Sequence, residues 1–448
     1  MPAQTALKTT ADGQVRWTNW ARNETAVPAT VSRPTNVAQI SDTIVKAAAD
    51  GRTVKALGSG HSFTAIASAH GATAIDLSGW TGIESADIAT GLVTVRSGTT
   101  IKQLNAGLDR LGLAMTNLGD IDAQTISGAI STGTHGTGAK LGGIATQITS
   151  LELVLADGSV VTCSADERPE LFNAARVGLG ALGVISTVTL RCERSFSLVA
   201  DERPVPLEEV IEQLDDLITG HDHMEFYWFP YGRKALVKRN DRLPLDAAVR
   251  PLSRARRFFE YTVMENAVFG VVCRTGRAIP RLVQPLNRLS STALSPRNYS
   301  DLSHRVFVTA RNVRFVESEY AVPRESLVDV LNELRAAVPK LAHPVMLPVE
   351  IRVASADDIW MSTAYQRDSA YFAIHQYPGM PYQEYFDVFE SIVAQVGGRP
   401  HWGKMHTLDA SVLQERYPRF EDFRQVRAEV DPTGLFRNGY LDRVLGSS

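Results

Sequence analysis

Apolar residues recur at every third or fourth position through PTNVAQISDTIVKAAADG (34–51), a spacing that predicts an amphipathic helix opening near Pro34 and Thr35 and stopping at Gly51. TVKAL (53–57) is a short apolar run and predicts a buried strand. GATAIDLSG (71–79) and GLVTVRSG (91–98) predict two more, each punctuated by glycine. Helical spacing returns over TTIKQLNAGLDRLGL (99–113), with Thr99 or Thr100 placed to cap it. TSLELVLADGSVVTC (149–163) joins two β-rich runs through Asp157-Gly158, a hairpin signal. The helical run RPELFNAARV (168–177), the glycine turn GLGALG (178–183) and the alternating strand VISTVTLRC (184–192) follow.

After about Ser195 the texture changes, and a domain boundary is expected near residue 197. An acidic helix, PLEEVIEQLDDLITG (206–220), precedes a strand-like HMEFYWFPYG (223–232) and a basic, Pro-containing stretch to about 300. Strands VRFVESEYAV, VMLPVEIRVAS and SAYFAIHQY then alternate with helices ESLVDVLNELRAAV and YQEYFDVFESIVAQVG, an α+β pattern with antiparallel pairing. The last forty residues, through RFEDFRQVRAEVDPTGLFRNGYL, predict a helix, a Pro-Gly stop and an aromatic tail. No fixed-period repeat or low-complexity segment interrupts the chain.

Composition adds bounds. A chain of 448 residues with 44% apolar and 21% charged content holds more than one core. A net charge of −3 gives no general attraction to phosphate backbones, which argues against nucleic acid as a partner. RPLSRARR (250–257) is read as a solvated face. Cys163, Cys192 and Cys273 lie far apart and suggest neither a zinc site nor a disulfide framework. MPAQTALKTTADG lacks the basic start and apolar core of a secretory signal, and AVFGVVC (267–273) falls far short of the ~20 residues that span a bilayer. A cytoplasmic protein is expected, with peripheral membrane contact left open.

GLGALG has the letters of the dinucleotide fingerprint, but a helix enters it and a strand leaves. The amides of a following helix are therefore missing, and a nicotinamide-type cradle is rejected. A second segment, Thr125 to Gly138 (TISGAISTGTHGTG), has eleven small residues among fourteen. Exposed backbone amides and hydroxyls suit a pyrophosphate. With GSGHSF (58–63) these stretches imply a large cofactor touched by backbone along much of its length. In PVEIRV, Glu350 and Arg352 project from one face of a strand, either as a structural ion pair or as a working pair.

GSGHSFTAIA, NLGDIDAQTISGAISTGTHGTG, LGALGVISTVTL, PVEIRV and the terminal HWGK together resemble the aldonolactone oxidoreductases, within the vanillyl-alcohol-oxidase-like flavoproteins, over residues 17 to 446. The resemblance implies an α+β fold: a two-subdomain FAD-binding domain of PCMH type (17–197), an α+β substrate or cap domain (198–410) and a C-terminal segment (411–448) returning to the FAD domain. It implies cofactor contacts at Gly58, Ser59, Gly60, His61 and Ser62, at Gly119 and Asp120, and at Ser127, Gly128, Ser131, Thr132, Thr134, His135 and Gly136. Gly183, Val184, Ile185 and Lys404 complete the set.

His61 occupies the position that commonly carries a covalent bond to the flavin 8α-methyl; a turn histidine hydrogen-bonded near the pyrophosphate is the plain alternative. The resemblance places Glu350, Arg352 and Lys404 at the flavin, with His375 and Gln376 as further hydroxyl partners, His375 being equally readable as a core histidine. Arginine offers a permanent charge and a fixed fork for an anionic ring or a substrate oxygen. His401 and His406, five apart, share no helical face, and no metal site is expected. The implied reaction is oxidation of an aldono-1,4-lactone at the C2 hydroxyl by hydride transfer to flavin N5, giving an ascorbate-type product. An alditol oxidase is the alternative. Gly119 aligns with the position that admits oxygen, and the acceptor, dioxygen or a redox partner, stays open, as does the oligomeric state.

Overall fold

The first predicted helix forms over Val37–Ala49, and the side chain of Asn36, rather than Pro34 or Thr35, caps it by accepting from the Gln39 amide. Its buried stripe, Ile40, Ile44 and Ala47, packs on Val54, Ile75, Leu77 and Trp80. Each buried isoleucine contributes about 1.5–3 kcal/mol. Strands Thr30–Ser32, Thr73–Asp76 and Val54–Leu57 pair in parallel, so TVKAL is a short buried strand as its apolar run requires. Of the two candidate caps, Thr100 opens the helix Ile101–Arg110, because Gln103 can close a reciprocal capping box with it. The structure is a computed structural model that describes residues 7–10, 13–309 and 311–447.

A second sheet runs antiparallel in the order Val160–Ser164, Ile148–Val154, Val184–Arg191, Leu92–Arg96, Ile83–Asp87. The hairpin at Asp157-Gly158 is wider than two residues: Val154 pairs with Val160, and Gly158 turns the intervening loop at φ +83.

The largest sheet has eight strands, all antiparallel, in the order Arg297–Leu302, Ser197–Pro206, Lys234–Arg242, His223–Trp228, Val349–Ala354, Ser369–Gln376, Val316–Pro323, Arg399–Pro400. One face carries Phe226, Ile351, Phe372 and Ile374, which pack on helices Leu327–Ala337 and Gln383–Gln395. Strand alternation sends the intervening polar residues to the other face.

Two departures from the sequence pattern stand out. The acidic helix is broken at Gln213 into Leu207–Glu212 and Leu214–Thr219. The stretch read only as basic and Pro-containing holds the successive helices Arg254–Arg257, Phe258–Val268 and Phe269–Ala278, followed by Val283–Thr292. Its middle portion winds with π-type turns and buries none of its residues, so no 3.6-residue apolar stripe exists there to be read. The helix of the C-terminal segment spans Phe420–Val430, and the chain then crosses back to the parallel sheet. There the Leu435 carbonyl accepts from the Val54 amide at 2.8 Å and the Phe436 carbonyl accepts from Lys55 Nζ at 3.1 Å. Asn438 Nδ2 donates to the carbonyls of Ala65, Ile66 and Ser68, each at 3.1 Å.

Candidate active site

Two clefts meet at His61. The first, about 960 Å³ with the solvent at its mouth, is walled by Gly58 to Ser62, by Ser127, Gly128, Ser131 and Thr132, and by Gly178 to Gly180 with Gly183 and Ile185. The second, about 730 Å³ on the same measure, shares His61, Ser62, Gln124 and Thr132 with it and ends on the polar face of the eight-stranded sheet.

The first cleft is built by closeness of backbone. Thr125 Oγ1 accepts from the Gly128 amide at 3.2 Å, and a Cβ on Gly58 or Gly128 would stand 2.7 or 2.9 Å from that same oxygen. Leu179, inside GLGALG, is held at φ +55 between the strained turn's glycines. Lys55 lies under this wall, its Nζ bonded to the Gly180 carbonyl at 3.1 Å, and burial pulls its pKa down to about 7.

The GSGHSF segment carries His61 over the junction. Trp20 stacks on its ring with centroids 5.8 Å apart, and the Trp20 amide donates to the Gly60 carbonyl at 2.7 Å. Burial, with the Lys404 charge second, lowers the His61 pKa to about 4, so the imidazole is neutral near pH 7.

The second cleft follows from register. Tyr227 pairs with Glu350, Glu225 with Arg352, Glu350 with Ala373, Arg352 with Tyr371, Ala373 with Glu319 and His375 with Glu317, so all of these point to one face. Arg352 Nε donates to Glu225 Oε2 at 2.7 Å, and its terminal nitrogens face Glu350 and, at 3.6 Å, Asp120. Arg311 pairs with Asp120, stands 3.6 Å from Glu350 and donates to the Tyr227 hydroxyl at 2.9 Å. Lys404 donates to Glu317 at 2.5 Å.

Burial raises the Glu350 pKa, and Arg352 and Arg311 pull it back only in part. Burial acts in the same sense on Asp120, but there the arginines Arg311 and Arg352 win and hold it below the usual carboxylate range. Glu350 Oε1 and Asp120 Oδ2 are buried and make no hydrogen bond of good angle among the described residues; their partners are the ion-pair contacts with Arg352 and Arg311 respectively.

Most of the sequence candidates therefore line one continuous space. Gly58 to Ser62, Ser127, Gly128, Ser131, Thr132, Gly183 and Ile185 border the first cleft; Gly119, Asp120, Thr134, His135, His375, Glu350, Arg352 and Lys404 border the second. Two do not. Val184 points into the core with Ile40, Ile44 and Val54, because strand alternation turns it away from its neighbour Ile185. Gly136 packs within the protein, where a Cβ would lie 2.3 Å from the Leu118 carbonyl. Asp120 borders the cleft as an ion-pair partner of the two arginines. The bare side of Gly119 faces the His135 carbonyl, 3.1 Å from a built Cβ. His375 donates through Nδ1 to the Pro348 carbonyl at 2.9 Å, which turns Nε2 toward Glu317.

Several lining residues escaped the sequence reading: Arg311, Glu317, Glu319, His401 and Gln124. Glu317 and Glu319 carried the same signal as Glu350 and Arg352, two charges spaced by two in an alternating strand. Arg311 lies in a loop and carried none. His401 accepts from the Gly403 amide through Nδ1, whereas His406 pairs with the Tyr440 hydroxyl, so the two rings serve different neighbours.

A cleft walled by glycine, serine and threonine backbone thus runs past a neutral histidine onto a floor of paired acids and bases. Solved cholesterol oxidases share this fold: a solvent-stable cholesterol oxidase superposes with a TM-score of 0.82 at 19% identity over 98% of both chains. The cholesterol oxidase of Brevibacterium sterolicum gives 0.80 at 16% identity over 99% of this chain and 98% of its own.

The model of an FAD-binding domain matches residues 28–164, and that of the D-arabinono-1,4-lactone oxidase family matches 188–444. The chain belongs to this family. The L-gulono-1,4-lactone dehydrogenase of Mycobacterium tuberculosis is 41% identical over 430 residues, 96% of this chain and 99% of its own. The mouse L-gulonolactone oxidase is 35% identical, covering 96% and 98%. A Streptomyces alditol oxidase is 28% identical over the same shares, 96% and 98%.

Proposed function

We propose that the protein oxidises the C2 carbinol of an aldono-1,4-lactone such as L-gulono-1,4-lactone, yielding a 2-keto lactone that tautomerises to an ascorbate-type enediol. In this reading residues 17–197 bind FAD, residues 198–410 form the substrate cap and residues 411–448 return to the FAD domain, in a cytoplasmic enzyme. When bound, FAD would supply the hydride acceptor, and His61 would tie it to the chain through a bond from a ring nitrogen to the flavin 8α-methyl, the methyl losing a proton and the electron pair of its broken C–H bond passing through the ring to dioxygen.

The first cleft fits this cofactor because its wall is bare backbone at Gly58 and Gly128, and because its length continues into the second. Around the substrate, the Glu350 carboxyl, which borders the cleft, takes a hydrogen bond from the hydroxyl and then its proton. Arg352 and Lys404 hold positive charge where negative charge develops, in a site where burial strengthens it. The buried carboxylates of Glu317, Glu319 and Glu350, with the half-buried Asp120 beside them, favour a neutral polyhydroxylated ligand over a carboxylate.

The observation that carries the reading is the convergence of Glu350, Arg352 and Lys404 at the inner end of the cleft that begins at GSGHSF. Anaerobic mixing of the yellow protein with L-gulono-1,4-lactone tests it: the visible flavin band bleaches, and xylitol bleaches it more slowly. Bleaching by xylitol alone replaces the lactone with an alditol, and bleaching by neither removes the reading. Readmitting air, then a protein or dye acceptor, identifies dioxygen or a redox partner as the oxidant.

A further inference from the structure

Arg352 is the inner end of a row of charges that crosses the eight-stranded sheet. The register sets Arg297 opposite Glu202, Glu202 opposite Lys238, Lys238 opposite Glu225 and Glu225 opposite Arg352. Five adjacent strands therefore each place one charge on the same face, and the sign alternates from strand to strand.

Contacts follow the row at every link except Glu202 to Lys238, which are set opposite by register alone. Arg297 Nε donates to Glu202 Oε2 at 2.8 Å, and Arg297 is anchored at its outer side by Glu265 at 2.6 Å. Lys238 Nζ stands 3.2 Å from Glu225 Oε1, which also accepts from the Tyr227 hydroxyl at 3.2 Å. The other oxygen, Glu225 Oε2, takes Arg352 Nε at 2.7 Å. Glu202, Glu225 and Arg297 are each less than a tenth exposed. Of the five, Arg352 borders the catalytic cleft.

Stability does not require such a row, since apolar side chains of similar volume often serve a buried sheet face as well. What the row fixes is direction. With Nε committed to Glu225, the guanidinium plane is set and its terminal nitrogens are left for Glu350, Asp120 and the cleft. Glu225 can hold that plane only if its own carboxylate is held, and Lys238 and Tyr227 grip the oxygen that Arg352 does not use. We infer that Glu225 and Lys238 are positioning residues for the oxidation, acting through Arg352 although neither borders the cleft. The inference rests on the reading of Arg352 as the cation that serves the reacting atoms.

The test is a double-mutant cycle read by the anaerobic rate of flavin bleaching with L-gulono-1,4-lactone. Lys238→Met slows bleaching about tenfold, and Glu225→Gln about a hundredfold, because a misaimed group loses most of its contribution within about an ångström. Lys238→Arg, which can still reach Glu225, restores most of the rate. In an Arg352→Lys background the further loss from Lys238→Met disappears, since the group it aims is gone.

Multiplicative losses in the double variant, or no loss in Lys238→Met, overturn the inference while leaving the oxidation itself standing. An Arg352→Lys enzyme as fast as the parent overturns instead the role of Arg352. Where Lys238→Met fails to accumulate folded, Glu225→Gln carries the same cycle, because it keeps the size of the side chain.

Discussion

If His61 carries the flavin as proposed, its attachment has a pH signature that the structure sets in advance. The imidazole attacks only when neutral, and its pKa is lowered from 6.5 to about 4 by burial and by Lys404. At pH 5 a ring of pKa about 4 is still ~90% neutral, so linkage should proceed within ~10% of its rate at pH 7. An ordinary histidine would be ~3% neutral at pH 5 against ~75% at pH 7, a fall of roughly 25-fold.

The assay is to prepare the apoprotein from flavin-starved cells, add FAD at each pH, quench in acid and measure the colour retained by the precipitated chain. His61→Ala should bind FAD and yield a colourless precipitate. Lys404→Met, which removes the second cause of the shift, should move the pH dependence toward that of a free imidazole. A 25-fold loss at pH 5 in the parent protein would refute the argument from burial, and a yellow precipitate from His61→Ala would refute the tether.

In the proposed role Glu350 must be ionised to accept a proton, and burial raises its pKa above the ordinary 4.5. The rate of flavin reduction should therefore rise with pH along a limb displaced above that value, and in Glu350→Gln the limb should vanish with a loss of ~10²-fold or more. His401 and His406 are buried neutral, with pKa values lowered to about 4 and about 3. The unfolded chain takes up protons on them below 6.5 while the folded chain does not, so stability should fall as pH drops from about 6.5 toward 4. Denaturant midpoints at intervals of pH measure this, and His406→Gln should flatten the slope. Gly136→Ala forces a Cβ to within 2.3 Å of the Leu118 carbonyl, and should cost about 1–3 kcal/mol in stability with the kinetics of the surviving holoenzyme unchanged.

Which parts of this were legible in sequence follows from periodicity. Glu350 and Arg352 could be placed together because a strand alternates strictly, and the helix Val37–Ala49 because its stripe is regular. The same alternation offered Glu225 with Tyr227 and Glu317 with Glu319, yet a charge pair in one strand says nothing of its neighbours until register is known. Val184 went astray for the same reason in reverse: adjacent strand residues face opposite ways, and sequence alone did not say which of Val184 and Ile185 met the cleft. Gly136 shows that a glycine can be required by its own protein rather than by a ligand. Arg311 reaches the cleft from a loop, where no period exists to read.

The return of the chain to the parallel sheet bears on when the protein can take up its cofactor. The strand that delivers GSGHSF is completed by carbonyls at Leu435 and Phe436, the latter 381 residues beyond its partner Lys55. At ribosomal speeds of about 5–20 residues per second, that partner arrives roughly 20–75 seconds after Lys55 itself. The glycine wall should therefore lack these two contacts until residues 435 and 436 are made, and flavin loading is expected to follow them. A ribosome-stalled nascent chain ending before Leu435 should capture no FAD, however complete its glycine-rich segments.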